Sequence, residues 1–209
     1  MRPLPKIYPI TDKELSGKSS HLAIIRELAR GGARIVQVRD KRTPPRELLL
    51  DLKRCAEFCD RQGVVLIVDD RCDLALSAGA AGVHVGQDDL PPEAVRRLAG
   101  PNFIIGHSTH NYSQIRRASE LSIQYVGYGP VYATSTKSQP SPVVGIGGLR
   151  RACLTSPHPV VAIGGIGGRQ VPEVLAAGAA SAAVISAVMG QGDIARAMSR
   201  LLQIARETK

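Results

Sequence analysis

Arg39, Lys41 and Lys137 supply cations, and Asp69, Asp70 and Asp89 supply carboxylates, at or just beyond the ends of short apolar runs. Arg39 and Lys41 are two residues apart, so on an extended chain they share a face. Arginine offers a planar fork to a phosphate and lysine a compact charge. Lys137 follows the hydroxyl-rich Thr134-Ser135-Thr136. Together these cations fit a polyanion better than a single phosphate. Carboxylates among such cations point to magnesium, which takes oxygen ligands and often uses one or two protein carboxylates beside substrate phosphates. Asp70 and Asp89 are the expected pair. A helix cap is the competing reading of Asp89, which lies just before LPPEAV.

Gly164-Gly165 suggests a phosphate cup completed by Ile185-Ser186, since loops after the last strands of a barrel often bind phosphate. Close helix–strand packing also uses glycine, so the pair alone is weak. The histidines carry no catalytic assignment. His107 and His110 flank Ser108-Thr109. His84, in the middle of GVHVGQ, is expected to fill an interior.

Elements must bring these residues together. Apolar, β-branched runs recur as KIYPIT (6–11), ARIVQVR (33–39), VVLIVDD (64–70), GVHVGQ (82–87), FIIGHST (103–109), YVGYGPVY (125–132), VVAIGGI (160–166) and SAAVISAV (181–188). Their near-continuous apolar character predicts strands covered on both faces, as in a parallel sheet. Helical patterns lie between them. Thr43 reads as an N-cap and Pro44 as a first-turn proline before a helix over 46–61. Pro91-Pro92 opens another, which Gly100 stops. RQVPEVLAAGA is expected to end at Gly178. The last pattern places Ile194, Met198, Leu201, Leu202 and Ala205 on one face. The alternation predicts an α/β fold, a single (β/α)8 barrel over residues 1–209, with its site at the C-terminal strand ends. An open doubly wound sheet is the competitor. The absence of an early GxGxxG weakens its dinucleotide-binding version.

The totals agree. The chain of 209 residues is 44% hydrophobic, enough for one sizeable core. A net charge of +9 points to nucleic acid or an anionic substrate. With aromatics at 3%, no Trp and no dense basic block, no nucleic-acid partner is expected. No apolar span is long enough for a membrane helix, and MRPLPKIYPIT lacks a signal-peptide block. A soluble, cytoplasmic protein is the default expectation. Cys55 and Cys59 share an apolar helix face with Leu48 and Leu52, which predicts buried thiols rather than zinc ligands.

QVRDK (37–41), DDR (69–71), GVHVGQDD (82–89), GHSTHN (106–111), YGPVYATSTK (128–137), AIGGI (162–166) and VISA (184–187) resemble the thiamine phosphate synthase family, in order over nearly the whole chain. The resemblance implies a (β/α)8-barrel transferase with small-molecule substrates. It would join 4-amino-5-hydroxymethyl-2-methylpyrimidine diphosphate to 4-methyl-5-(2-hydroxyethyl)thiazole phosphate, giving thiamine phosphate and pyrophosphate. It implies that Gln37, Val38, Arg39, Asp40, Lys41, Ser108 and Lys137 hold the pyrimidine diphosphate. Arg39, Lys41, Ser108 and Lys137 would act in catalysis. It places Mg2+ on Asp70 and Asp89, and the thiazole phosphate on Thr134, Ser135, Thr136, Gly165, Ile185 and Ser186. Asp69 falls on the diphosphate side, where the family usually carries Asn. Its charge needs a partner, and Arg39, Lys41, Arg71 or Mg2+ could serve. Ala133 also departs from the usual Pro. A related thiazole tautomerase branch and a non-catalytic phosphate-binding barrel are the alternatives. Pro130, where the tautomerases carry His, and the TSTK run favour the synthase. The oligomeric state is left open, a homo-oligomer included.

Overall fold

Each predicted apolar run contains a strand. The strands are β1 (Ile7–Pro9), β2 (Ile35–Val38), β3 (Val65–Asp69), β4 (Gly82–Val85), β5 (Ile104–Thr109), β6 (Tyr125–Tyr128), β7 (Val160–Ala162) and β8 (Ser181–Val184). The structure, a computed structural model, describes residues 3–134 and 141–208. Ser135, Thr136 and Lys137 therefore lie outside the described residues. All the pairings are parallel, in the order β1-β8-β7-β6-β5-β4-β3-β2. A parallel bridge between Ile10 and Gln37 joins the two ends of that order. The Thr11 N–H donates to the Gln37 carbonyl at 2.9 Å beside it. The sheet thus closes into the expected (β/α)8 barrel.

Closure explains why these strands are apolar on both faces. Tyr8, Ile35, Ile67, Tyr125, Val161 and Ala183 pack together inside the barrel. The alternating residues, such as Val36, Val38, Leu66, Val68 and Val126, join the larger core under the surrounding helices. Those helices are α1 (Lys13–Ser16), α2 (His21–Arg30), α3 (Pro45–Gln62), α4 (Cys72–Ala78), α5 (Pro92–Ala99), α6 (Tyr112–Ala118), α7 (Gly145–Thr155), α8 (Val171–Ala176), α9 (Ser186–Met189) and α10 (Ile194–Glu207). α10 buries Ile194, Ala195, Met198, Leu201 and Ala205, close to the predicted face. Cys55 and Cys59 are buried on α3, as expected.

Two local expectations need correction. Thr43 is not the N-cap of α3. Pro44 occupies that position, with ψ 142°, and Pro45 is the first helical residue. The ring of Pro45 bars Pro44 from the helical region. Pro91, with ψ 143°, stands before Pro92 in the same way at α5. The last strand also stops earlier than the run 181–188, because Ser186–Met189 turns into α9. An apolar stretch of that length is compatible with either conformation.

Candidate active site

The C-terminal ends of the strands surround a cavity of about 480 Å³. β2 delivers Gln37 to its wall, and the chain just beyond delivers Arg39 and Lys41. β3 ends in Asp69, which faces both cations. The Asp69 Oδ2 lies 3.5 Å from Arg39 Nε and 3.5 Å from Lys41 Nζ. Burial raises the Asp69 carboxyl above the usual range, Lys41 and Arg39 pull it back, and Asp89 adds to the rise. Arg71, the other candidate cation, pairs with Asp73 instead.

Asp70 follows at φ 58°, a left-handed conformation that aspartate tolerates better than most side chains. Its N–H donates to the His84 carbonyl at 2.8 Å, which pins the turn to β4. The Asp70 carboxylate is ion-paired with Lys41. Asp89 arrives from the loop after β4, where its Oδ2 accepts the Gly86 N–H at 2.6 Å. No side chain caps α5, so the capping reading of Asp89 does not hold. Asp70 and Asp89 both line the cavity. Among the described residues no cluster of three or more His, Cys, Asp or Glu could hold a metal. Two carboxylates beside cations suit Mg2+, an ion that completes its shell with water and phosphate oxygens. They do not suit a metal needing a full protein cage.

β5 contributes Ser108, whose Oγ is 2.8 Å from His84 Nε2. His110, just beyond, also lines the cavity, and its Nδ1–H donates to the Gly129 carbonyl at 2.7 Å. Across the mouth, the loop after β6 lies against the loop after β7. The Val131 N–H donates to the Ile163 carbonyl at 2.8 Å and the Tyr132 N–H to the Gly164 carbonyl at 3.1 Å. Gly164 and Gly165 have φ 89° and 66°, and a Cβ on them would collide with Pro130 and with the Ala133 carbonyl. The close approach these glycines permit is therefore that of the neighbouring loop. Thr134, Gly165, Ile185 and Ser186 all border the same cavity.

Val38 and Asp40 are not among the lining residues. Val38 is buried in the outer core. Asp40 is the centre of a separate network. Its Oδ1 accepts the N–H groups of Arg42 and Thr43 at 2.9 and 2.8 Å. Its Oδ2 accepts from the Thr43 hydroxyl, the Lys13 ammonium and His21 Nε2 at 2.7, 2.9 and 2.9 Å. Burial would raise the Asp40 carboxyl, but these donors hold it well below the usual range. Burial also lowers the pKa of His21, against the pull of Asp40. A neutral His21 giving Nε2–H to Asp40 must accept from the Thr11 hydroxyl at Nδ1, at 2.8 Å. Thr11 Oγ1 accepts in turn from the Arg39 N–H at 3.3 Å.

From the sequence, His84 is expected to fill the interior and Ser108 to hold the pyrimidine diphosphate, but Tyr8 and Tyr125 have no assigned role. Tyr8, Tyr125 and His84 form a hydrogen-bonded chain that ends at Ser108. Gly106 on β5 and Gly127 on β6, in register with Tyr125 and Ser108 respectively, were a signal that space was needed there. A Cβ at Gly106 would collide with the Tyr125 ring and lie 2.5 Å from His84 Nδ1. One at Gly127 would lie 3.2 Å from His84 Cε1.

A family model described as thiamine monophosphate synthase matches residues 7–188. The chain belongs to the thiamine monophosphate synthase family. It is 42% identical over 198 residues to the thiamine-phosphate synthase of Methanocella arvoryzae, covering 95% of this chain and 93% of that one. It is 40% identical over 204 residues to the Chloroflexus aurantiacus thiamine-phosphate synthase, covering 98% and 94%. The solved thiamine phosphate pyrophosphorylase of Pyrococcus furiosus superposes with a TM-score of 0.89 at 37% identity, covering 98% of this chain and 96% of that one. Membership of this family makes the chain a transferase of thiamine phosphate synthesis, and the strand-end cavity is where its barrel collects the matching motifs. No helix among the described residues is long and apolar enough to cross a membrane.

Proposed function

We propose that the cavity condenses the pyrimidine diphosphate with the thiazole phosphate and releases pyrophosphate. The observation that carries this reading is the cation pair Arg39 and Lys41, held at the strand ends by Asp69 and Asp70. A polyanion entering the cavity meets those two cations first. Arg39 and Lys41 then bind the diphosphate and stabilise the charge that gathers on it as the carbon–oxygen bond breaks. Lys137, outside the described residues, is assigned to the same task. The electron-rich aminopyrimidine supports a dissociative loss of pyrophosphate, so no side-chain nucleophile is required. Gln37 and Ser108 help to hold the pyrimidine diphosphate. Thr134, Gly165, Ile185 and Ser186, with Ser135 and Thr136, hold the thiazole phosphate. Its ring nitrogen is thereby kept beside the carbon it attacks.

Asp70 and Asp89 would hold Mg2+. Bound there, the ion supplies Lewis-acid stabilisation to phosphate oxygens. The reading extends to a cytoplasmic enzyme, where free thiols such as Cys55 and Cys59 remain reduced.

The test is direct. Purified protein given both substrates and Mg2+ should form thiamine phosphate and pyrophosphate in equal amounts. Folded protein at high concentration that forms neither would sink the reading. Asp70→Ala and Asp89→Ala should each weaken Mg2+ binding measured by calorimetry with the pyrimidine diphosphate present. Binding as tight as in the unaltered protein would remove both residues from the metal site.

A further inference from the structure

The floor of the cavity holds a line of polar groups that simple barrel packing does not require. Tyr8 of β1 and Tyr125 of β6 meet hydroxyl to hydroxyl at 2.7 Å across the interior. The Tyr125 hydroxyl is 3.2 Å from His84 Nδ1, and the His84 Nε2 is 2.8 Å from Ser108 Oγ. The His84 ring stacks on Tyr125, with centroids 5.5 Å apart and planes 27° apart. Gly106 and Gly127 leave the space that the two rings occupy. Four strands thus combine to set one imidazole edge against the only member of the line that comes from β5, Ser108, which borders the cavity.

A hydrogen-bonded line of this kind has a direction. Burial raises the pKa of both tyrosines, so each keeps its single proton. Their 2.7 Å contact raises Tyr8 and lowers Tyr125, which makes Tyr8 the donor and Tyr125 the acceptor. Tyr8 then gives its proton to Tyr125, and Tyr125 gives its own to His84 Nδ1. His84 is left to donate Nε2–H to Ser108. A serine oxygen that receives this bond has its own O–H free to turn into the cavity. In the opposite direction Ser108 would spend its proton on His84 and present only lone pairs. Beside a bound anion the first direction is attractive and the second repulsive.

We propose that His84 is a positioning residue that donates Nε2–H to Ser108 and so holds the Ser108 hydroxyl as a hydrogen-bond donor toward the departing diphosphate. Tyr125 and Tyr8 fix the direction of the line. The inference rests on the transferase reading of the cavity and adds a residue that acts through Ser108.

Nitrogen-15 histidine NMR of the unaltered protein tests the bond without any turnover. His84 should carry a proton on Nε2, and Tyr125→Phe should shift its ring signals while the remaining spectrum stays in place. A proton on Nδ1 alone would overturn the proposal. Kinetics supplies the second arm. Ser108→Ala and His84→Phe should each lower kcat about tenfold or more, the worth of a hydrogen bond to a charged group, with the KM for the pyrimidine diphosphate nearly unchanged. The double variant should lose no more than either single one, because both remove the same interaction. His84→Gln, which keeps an N–H near the Nε2 position, should recover most of the rate. Losses that multiply in the double variant, or no recovery with Gln, would reduce His84 to a packing residue. An unaltered protein that makes no thiamine phosphate would instead sink the transferase reading, and the NMR arm separates the two failures.

Discussion

Asp69 shows what a single atom pair can decide. Its Oδ2 is shared by Arg39 and Lys41, so the cations are already placed before a substrate arrives. The same carboxylate is only 12% exposed and points a negative charge into a cavity proposed to receive a diphosphate. Placement favours binding and charge opposes it. Asn would keep an oxygen that accepts from both cations while removing the charge. Asp69→Asn should therefore lower the apparent KM for the pyrimidine diphosphate roughly fivefold, the scale of about 1 kcal/mol between partly solvated charges. Steady-state kinetics at fixed thiazole phosphate would show it. A clear rise in KM would mean that the full charge is needed to place Arg39 and Lys41. The need for a partner was legible from the adjacent acids Asp69-Asp70, and two of its candidate cations are the ones found. Why Arg71 drops out was not legible. The turn at Asp70 carries the chain into α4, where Arg71 meets Asp73 two residues on.

At the scale of elements, the loop between β2 and α3 owes its shape to Asp40. Backbone and side-chain donors converge on one carboxylate and link the loop to α1, α2 and the end of β1. Arg39 and Lys41 flank it. Asp40→Ala should therefore raise the KM for the pyrimidine diphosphate about tenfold, although Asp40 borders no part of the cavity, through misplacement of its neighbours. It should also lower stability by ~1–3 kcal/mol, the cost of leaving buried donors unsatisfied, or a few degrees in Tm. The folded Asp40 carboxyl is depressed, so its contribution is present above the unfolded value of about 4 and is lost as pH falls through the lower folded value. Melting curves should show the gap between Asp40→Ala and the unaltered protein narrowing below about pH 4. A gap independent of pH would show that the ionised carboxylate is not what holds the loop. The strands around this loop were readable because β-branched residues buried on both faces leave a local pattern. The loop was not, because the local donors Arg42 and Thr43 are joined on one carboxylate by His21 and Lys13, which are distant in sequence.

For the whole molecule, the question is whether the barrel opens as one unit. Closure was legible only as an inference from the alternation of strands and helices. The contact that completes it, Ile10 with Gln37, is an isolated bridge with no pattern of its own. The interior supplies a second tie, since Tyr8 and Tyr125 join β1 to β6 across the lumen. Partial opening on either side would leave one of these hydroxyls buried and unpaired, which is costly. One cooperative transition is therefore expected. The thiols can report it. Cys55, Cys59 and Cys72 are buried on α3 and α4, and burial raises all three, Cys59 to about 12. They should resist a thiol reagent at pH 8 in the native state, because the thiolate is the reacting form. Cys153, half-buried on α7 and raised to about 11, is the most accessible of the four and is best replaced by Ser in this experiment. With no Trp in the chain, fluorescence comes from its five tyrosines, and Tyr112, Tyr128 and Tyr132 are best replaced by Phe so that the interior pair carries the signal. In urea, labelling of the three buried thiols and the loss of that signal should share one midpoint. Labelling that rises at lower urea than the tyrosine change would show α3 and α4 leaving first, with the Tyr8–Tyr125 line still intact behind them.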